Sequence, residues 1–297
     1  MKNLIYLLLA LPLFFASCSN DESAVCDETV EVSFCTTLPQ IMGTRATGDL
    51  TVNNVVCAVF DENNAEVTNL RSTVTIDGNS IIFAPQLIKG RTYKVVFWAM
   101  KDNNYNVEDL AAITRATNGS TAEADYDAFT ATTEIFVENA ATQAVTLTRP
   151  IAQLNIGIPA EDWTTLTSTF GQEPAATTVS YSGKDSFNAL TGTTTGNDVT
   201  IERTSPATGA AISVNSKDYK QLGTYYLFED DKSNINITYS VADNNANDIR
   251  SNVEILNVPV WKNYKTNVVG GLLTGTITYN ITIAPSDFLT DDALNIE

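Results

Sequence analysis

Tyr93-Lys94-Val95-Val96-Phe97-Trp98, inside the run 92–100, is the stretch on which the fold turns. β-branched and aromatic side chains crowd it, and neither glycine nor proline interrupts it, so it reads as the strongest core strand of the N-terminal half. Working outward, Val55-Val56-Cys57-Ala58-Val59-Phe60 is apolar on both faces of a pleated strand and reads as a central one. Val30, Val32 and Phe34 alternate with Glu31, Ser33 and Cys35, the pattern of a half-buried strand, read here as an edge strand. More strands are expected at 73–76, 80–83, 134–137 and 144–148, with Asp, Asn and Gly clusters between them. Arg149-Pro150 then punctuates the chain, because proline donates no ladder hydrogen bond and restricts the residue before it. Strand patterns resume at 152–158, 178–181, 198–203, 224–228, 234–241, 253–258 and 274–283. Only two stretches look helical: 107–113, with Val107, Leu110 and Ala111 at i, i+3, i+4, and 161–170, which follows Pro159 with acids in its first turn. Short strands with turn signals at intervals of roughly 8 to 12 residues imply an all-β chain of two β-sandwich domains in tandem, over 29–149 and 150–297. A chain that is 43% hydrophobic, with 12 Phe and 11 Tyr, has the apolar material for two such cores.

The N-terminus carries an address. Lys2 supplies a positive charge, 4–15 is an almost unbroken apolar run, and Ala16-Ser17 precedes Cys18, so residues 1–17 read as a lipoprotein signal peptide and Cys18 as the lipidated residue. That run is too short for a bilayer, which needs about 20 apolar residues. Residues 18–28, with Asp21, Glu22, Asp27 and Glu28, read as a flexible acidic tether of the kind that sends some lipoproteins to the outer face of the outer membrane. The whole chain carries 35 acidic against 17 basic residues, a formal charge of −18. Such a field repels phosphate backbones and anionic headgroups, so nucleic acid is excluded as a partner and the lipid must hold the protein at a membrane.

Catalytic chemistry finds little to work with. The chain has no histidine, which removes Ser-His-Asp and Cys-His sites, His-ligated zinc and the commonest general base. Gly270-Gly271-Leu272-Leu273-Thr274-Gly275 lacks the spacing of a dinucleotide loop and reads as a hairpin. Asp243, Asn245, Asn247 and Glu254 fall at positions 1, 3, 5 and 12 of a calcium loop, but Asp248 stands where the sharp turn needs glycine, so a plain hairpin loop is the better reading. No cofactor, no metal and no enzymatic activity are expected. Beyond Cys18 there are Cys26, Cys35 and Cys57: an exported setting permits a Cys35 to Cys57 disulfide, and free buried thiols are the alternative. Trp98, Trp163 and Trp261 suit core packing, while Trp261 with Tyr264 near a turn is the one pair that suits a sugar-stacking platform.

Several segments together are similar to the fimbrillin family, the lipoprotein pilins of type V fimbriae in the Bacteroidales. They are the lipobox at Cys18, the strand at 29–38, Gly43-Thr44-Arg45-Ala46, Arg149-Pro150-Ile151-Ala152-Gln153-Leu154-Asn155-Ile156, and Asn263-Tyr264-Lys265-Thr266-Asn267-Val268-Val269-Gly270. The resemblance implies two tandem transthyretin-like, Greek-key sandwiches and proteolytic processing between Arg45 and Ala46. It further implies that 29–38, with Val30, Val32 and Phe34, is a removable strand whose departure opens a groove for a neighbouring subunit's strand. The partners implied are other fimbrial subunits, the outer membrane through the lipid, and a host or bacterial surface ligand; after processing the location is the fimbrium. The acidic tail 286–297, with Leu289 and Leu294 its only large apolar pair, does not look like a donor strand. The competing reading is a surface lipoprotein that binds glycans for a nutrient-uptake complex. Acyl labelling tests the anchor directly: labelled lipid is expected on the wild-type protein and not on Cys18→Ala, and equal label on both removes Cys18 as the attachment point.

Overall fold

The computed structural model describes residues 27–38, 52–76, 78, 80–119, 122–230, 232–285 and 294–296. The first half contributes β1 (Thr29–Thr37), β2 (Asn54–Phe60), β3 (Ser72–Thr75), β4 (Ser80–Phe83), β5 (Gln86–Ile88), β6 (Thr92–Met100), β7 (Tyr105–Asn106), β8 (Thr114–Arg115), β9 (Ala128–Phe136) and β10 (Ala141–Thr146). The second contributes β11 (Ala152–Pro159), the helix α1 (Ala160–Thr169), β12 (Pro174–Asn188), β13 (Thr193–Pro206), β14 (Ala211–Val214), β15 (Lys217–Leu227), β16 (Ser233–Asp243), β17 (Asp248–Val260), β18 (Tyr264–Gly271), β19 (Thr278–Pro285) and β20 (Leu294–Ile296). The chain is all-β, as its periodicity implies.

The sheet β3-β2-β6-β9 is the middle layer of the molecule. Successive side chains of a strand point to opposite faces, and in β2 and β6 both faces are apolar. Val55, Cys57 and Val59 with Tyr93, Val95, Phe97 and Ala99 enter one core, which the sheet β10-β1-β4 closes from the far side. Val56, Ala58 and Phe60 with Val96, Trp98 and Met100 enter another, closed by Tyr105, Leu110 and Ile113 and, from the second half, by Ile151, Phe187, Tyr226 and Phe228. Trp98 is fully buried there, 5.3 Å from the Tyr105 ring and 5.8 Å from that of Phe187. Each large apolar side chain so buried contributes about 1.5–3 kcal/mol.

In the second half, β14-β15-β11-β18-β19-β20 packs against β13-β12-β16-β17 over a core of Leu154, Ile156, Val179, Tyr225, Ile237, Tyr239 and Val268, among others. β12 is long because it serves two cores: Val179 and Tyr181 face this one, and Phe187 reaches the core shared with the first half. The helix expected at 161–170 is α1; Glu161 and Asp162 lie in its first turn, where the helix dipole favours negative charge, and Leu166 is its buried anchor.

Three sequence readings need correction. Residues 107–113 are a turn, not a helix, although Leu110 and Ile113 are buried as an amphipathic stretch would bury them. Asn106 and Asp109 accept hydrogen bonds from the backbone amides of Glu108 and Ala111, which gives the chain a local alternative to helical bonding. Ile113 is also held to Phe187 by a reciprocal pair of backbone hydrogen bonds at 2.8 and 2.9 Å. The strand read at 274–283 begins only at Thr278, because 272–277 is the loop of the β18-β19 hairpin and Gly275 takes φ +61° there. Finally, β1 is not an edge strand: it lies between β10 on one side and β4 with β5 on the other. Its period-2 pattern records one core-facing side and says nothing about how many neighbours it has.

Arg149 is pinned where the two halves meet. Its guanidinium donates to both carboxylate oxygens of Asp127, at 2.6 and 2.7 Å, with both side chains more than nine-tenths buried, and it lies 4.9 Å from the Phe129 ring centroid. Removing one member of such a pair leaves the other charge buried and alone. Arg149→Ala is therefore expected to lower the unfolding free energy by about 3–5 kcal/mol in chemical denaturation, while the double variant Asp127→Asn with Arg149→Met recovers most of it. An Arg149→Ala protein as stable as wild type contradicts this account.

Candidate functional site

The strand β1 is built like a plug. Val32, Phe34 and Thr36 face inward and are buried, Val30 is half-buried against the same core, and Glu31, Ser33 and Cys35 take the other face. Phe34 sits between two aromatic rings, 6.3 Å from Phe83 and 5.9 Å from Phe97, and these two stand edge to face at 6.2 Å. Both backbone edges are used: Val32 to Thr37 run parallel to Ala141 to Thr146 of β10, and Phe34 to Thr37 run antiparallel to Ser80 to Phe83 of β4. The start of β1 pairs with β5, and the amide of Val32 donates to Pro85 O between β4 and β5, so pairing is continuous along that edge. Just before β1, the Glu28 carbonyl accepts from the Lys89 amide at 2.8 Å, and the ion pairs Lys89 to Glu28 and Arg91 to Asp27 lie at the surface, where such pairs contribute little.

Cys18, Cys26, Arg45 and Ala46 lie outside the described residues. Cys35 and Cys57 are both free thiols, which corrects the disulfide considered from the sequence. Cys57 points into the first core, whereas Cys35 is out of phase with Val32 and Phe34 and points away from it, so the two side chains cannot meet. Burial also pushes the Cys57 thiol up to about 12, so it holds little thiolate at neutral pH.

Two of the segments that carry the family resemblance come together. β11 and β18 pair in parallel with Asn155 opposite Asn267, and their side chains join a ladder in which Thr224 Oγ1 and Gln153 Nε2 donate to Asn155 Oδ1 and Asn155 Nδ2 donates to Asn267 Oδ1. All four residues are buried, and each donor finds an acceptor. The calcium-like loop is a hairpin between β16 and β17: Asp243 accepts from the backbone and side-chain amides of Asn247 and then from the amide of Asn245, which lowers its pKa, and among the described residues no group of three acids or cysteines gathers to hold a metal. Trp261 and Tyr264 meet edge to face at 5.2 Å, and both are half-buried rather than exposed.

Sequence reading missed the charged groups where the second half meets residues 105–126. Arg115 donates to both carboxylate oxygens of Glu123 at 2.6 and 3.0 Å and to the Tyr226 carbonyl at 2.5 Å, and its guanidinium lies 3.9 Å from the Tyr126 ring centroid. Arg203 shares the inward face of β13 with Val199 and Ile201, a charge on an apolar face that the alternation could have flagged. Glu229, just after β15, is buried, and its Oε1 has no partner.

Burial raises the Glu229 pKa from the ordinary 4.5 to about 7, an effect that the Ser233 hydroxyl opposes and Asp230 reinforces. A carboxyl with a folded-state pKa above its unfolded value favours folding while protonated. That contribution is present below about pH 4.5 and is lost as pH rises through about 7. Glu229→Gln is therefore expected to gain up to about 3 kcal/mol on the wild type at pH 8 relative to pH 4, read from denaturation midpoints across pH. Parallel pH profiles for the two proteins would show that Glu229 does not titrate in this way.

No curated protein matches the sequence. Among solved structures, a candidate polysaccharide-binding protein from Bacteroides thetaiotaomicron is 11% identical, with 90% of this chain and 98% of that one covered and a TM-score of 0.49. A candidate adhesin from Bacteroides ovatus is 13% identical, with 91% and 96% covered and a TM-score of 0.47. The fimbrial anchor protein Mfa2 from Porphyromonas gingivalis is 11% identical, with 86% and 98% covered and a TM-score of 0.45. Likenesses of this order leave function to be argued from the chain itself. Residues 22–294 match the model of a family of unknown function, DUF6562, and the chain belongs to that family.

Proposed function

We propose that the protein is a cell-surface subunit of a fimbria-like assembly, delivered to the outer membrane as a precursor lipidated at Cys18 and, once a cut after Arg45 has released that anchor together with β1, joined to its neighbours by strand exchange at the vacated seat, in the service of adhesion. The observation that carries this reading is the seat of β1. A cut between Arg45 and Ala46 separates it from every later strand, yet it occupies the middle of its sheet. Its departure would leave the edges of β10 and of β4 with β5 unpaired and a slot floored by Phe83, Phe97 and Leu87. Unpaired edges bordering an apolar slot form a template for an incoming strand, which restores both ladders and refills the pocket left by Phe34. Removal of β2 or β6 would serve no such purpose, since each is tied into the chain at both ends and into two cores. The role is structural and needs no reaction chemistry.

The alternative, a glycan-binding lipoprotein of an uptake complex, would rest on an exposed platform at Trp261 and Tyr264, and both are half-buried, packed edge to face.

The test is controlled proteolysis of the purified precursor with a trypsin-like enzyme, followed by mass analysis and an unheated denaturing gel. Cleavage after Arg45, loss of the 29–38 segment and a ladder of heat-labile multimers are expected, with Arg45→Ala abolishing all three. A synthetic peptide spanning 29–38 is expected to suppress the ladder, and the same peptide with Phe34→Ala to do so poorly. Clean cleavage that yields only monomers, with or without the peptide, rules out strand exchange.

A further inference from the structure

A cavity of about 190 Å³ lies where β13 and the end of β15 meet Tyr105 and Arg115 of the first half. Its walls are of two kinds. Tyr181, Phe228 and Ile151 line it with apolar surface, and Arg115 and Arg203 bring two guanidinium groups to it.

The two arginines differ in how their charge is met. Arg115 is matched by Glu123, in a bidentate pair. Arg203 forms no ion pair among the described residues: its Nη1 donates to the Glu202 carbonyl at 3.0 Å, and its buried Nε has no partner. Nearby acids do not fill that role. Asp185 and Glu202, the acids on the wall, form no ion pair with Arg203: Asp185 accepts from the Asn197 amide at 3.1 Å and the Ser186 hydroxyl at 3.2 Å, Glu202 meets Arg203 through its backbone carbonyl, and Lys184, also on the wall, pairs with Asp198 at 3.0 Å. Desolvation first, then repulsion from Arg115, holds the Arg203 pKa below its ordinary value, against a weaker opposing pull from Tyr181 and Glu123. In a chain of formal charge −18, a cation with no ion-pair partner among the described residues, facing a half-enclosed space, stands out.

We propose that this cavity is a binding site for a small organic carboxylate, about the size of one acidic sugar residue, whose carboxylate pairs with Arg203 while its body lies against Tyr181 and Phe228. Planar guanidinium and planar carboxylate match in a two-bond fork, the strongest neutralisation open to Arg203. The aromatic and aliphatic walls accept a compact ring, as binding pockets with a few well-placed polar groups do. A volume of about 190 Å³ falls below the roughly 300–1,000 Å³ of sites that hold drug-sized ligands, which limits the occupant to a single ring or its equivalent. The site is formed by both halves of the chain and is remote from β1, so it stands or falls independently of strand exchange.

The experiment uses the purified full chain, with sodium glucuronate as probe, glucose as a neutral ring of similar size, and sodium chloride to hold ionic strength constant. Calorimetric titration and the thermal midpoint are followed together. Saturable glucuronate binding that raises the midpoint is expected, with no response to glucose. Arg203→Gln is expected to weaken glucuronate binding by roughly tenfold or more, the usual consequence of losing a charged hydrogen-bond partner, and Arg203→Lys to retain part of it. Absence of a saturable glucuronate response, an equal response to glucose, or unchanged affinity in Arg203→Gln each overturns the proposal. If Arg203→Gln fails to fold, Arg203→Lys and the wild-type contrast between glucuronate and glucose still decide it.

Discussion

The burial of β2 and β6 on both faces is the constraint to which the other parts answer. A sheet with one wet face can be completed by a single partner layer, but a sheet apolar on both faces needs two. Here one layer is supplied by β10-β1-β4 and the other by residues 105–126 together with the near end of the second sandwich. Trp98 and Phe97, neighbours in sequence, therefore belong to different cores, and the protein's halves are fastened through the backbone of the strand that holds them. The buried Arg149 and Arg115 pairs lie around this seam, where they fix the geometry of contacts whose net stabilisation comes from apolar burial.

The two cores are not equivalent in what they tolerate. The core shared with the second half is closed by long strands and by segments tied at both ends. The core on the other side is closed by a sheet whose middle member is the first strand of the chain. Loss of β1 would expose one face of β2 and β6 while leaving the other face, and hence the seam with the second half, intact. Under the proposed exchange, a subunit opened in this way keeps most of its architecture and offers a slot of defined shape, with Phe83 and Phe97 ready to receive an aromatic or aliphatic side chain where Phe34 had been.

Much of this was legible in the sequence. β6 and β2 announce themselves through β-branched and aromatic crowding, α1 through Pro159 and the acids that follow it, and the β18-β19 hairpin through its glycines. Parity alone left the Cys35 to Cys57 bridge open: Cys35 alternates out of phase with Val32 and Phe34, but β2 is apolar on both faces, and only the structure turns Cys57 into the first core, away from Cys35. What could not be read was anything set by neighbours distant in sequence. Alternation distinguishes the faces of a strand and not its edges, so the central place of β1 was invisible. The spacing of Val107, Leu110 and Ala111 suits a helix, but Asn106 and Asp109 divert the backbone, and the bridge to Phe187 is a long-range fact. Arg203 could have been read from its phase with Val199 and Ile201, whereas the burial of Glu229, which lies beside Gly183 and Ser233, is set by contacts distant in sequence.

The double ladder around β1 also has a mechanical consequence. A strand at an edge can be peeled away one hydrogen bond after another, but a strand held on both sides, parallel to β10 and antiparallel to β4 and β5, resists a pull along its own axis with both rows of bonds at once. Any strand that came to occupy this slot would be loaded in shear rather than unzipped, with the buried side chain at the Phe34 position acting as a detent against sliding. A seat of this geometry suits a joint that must bear tension.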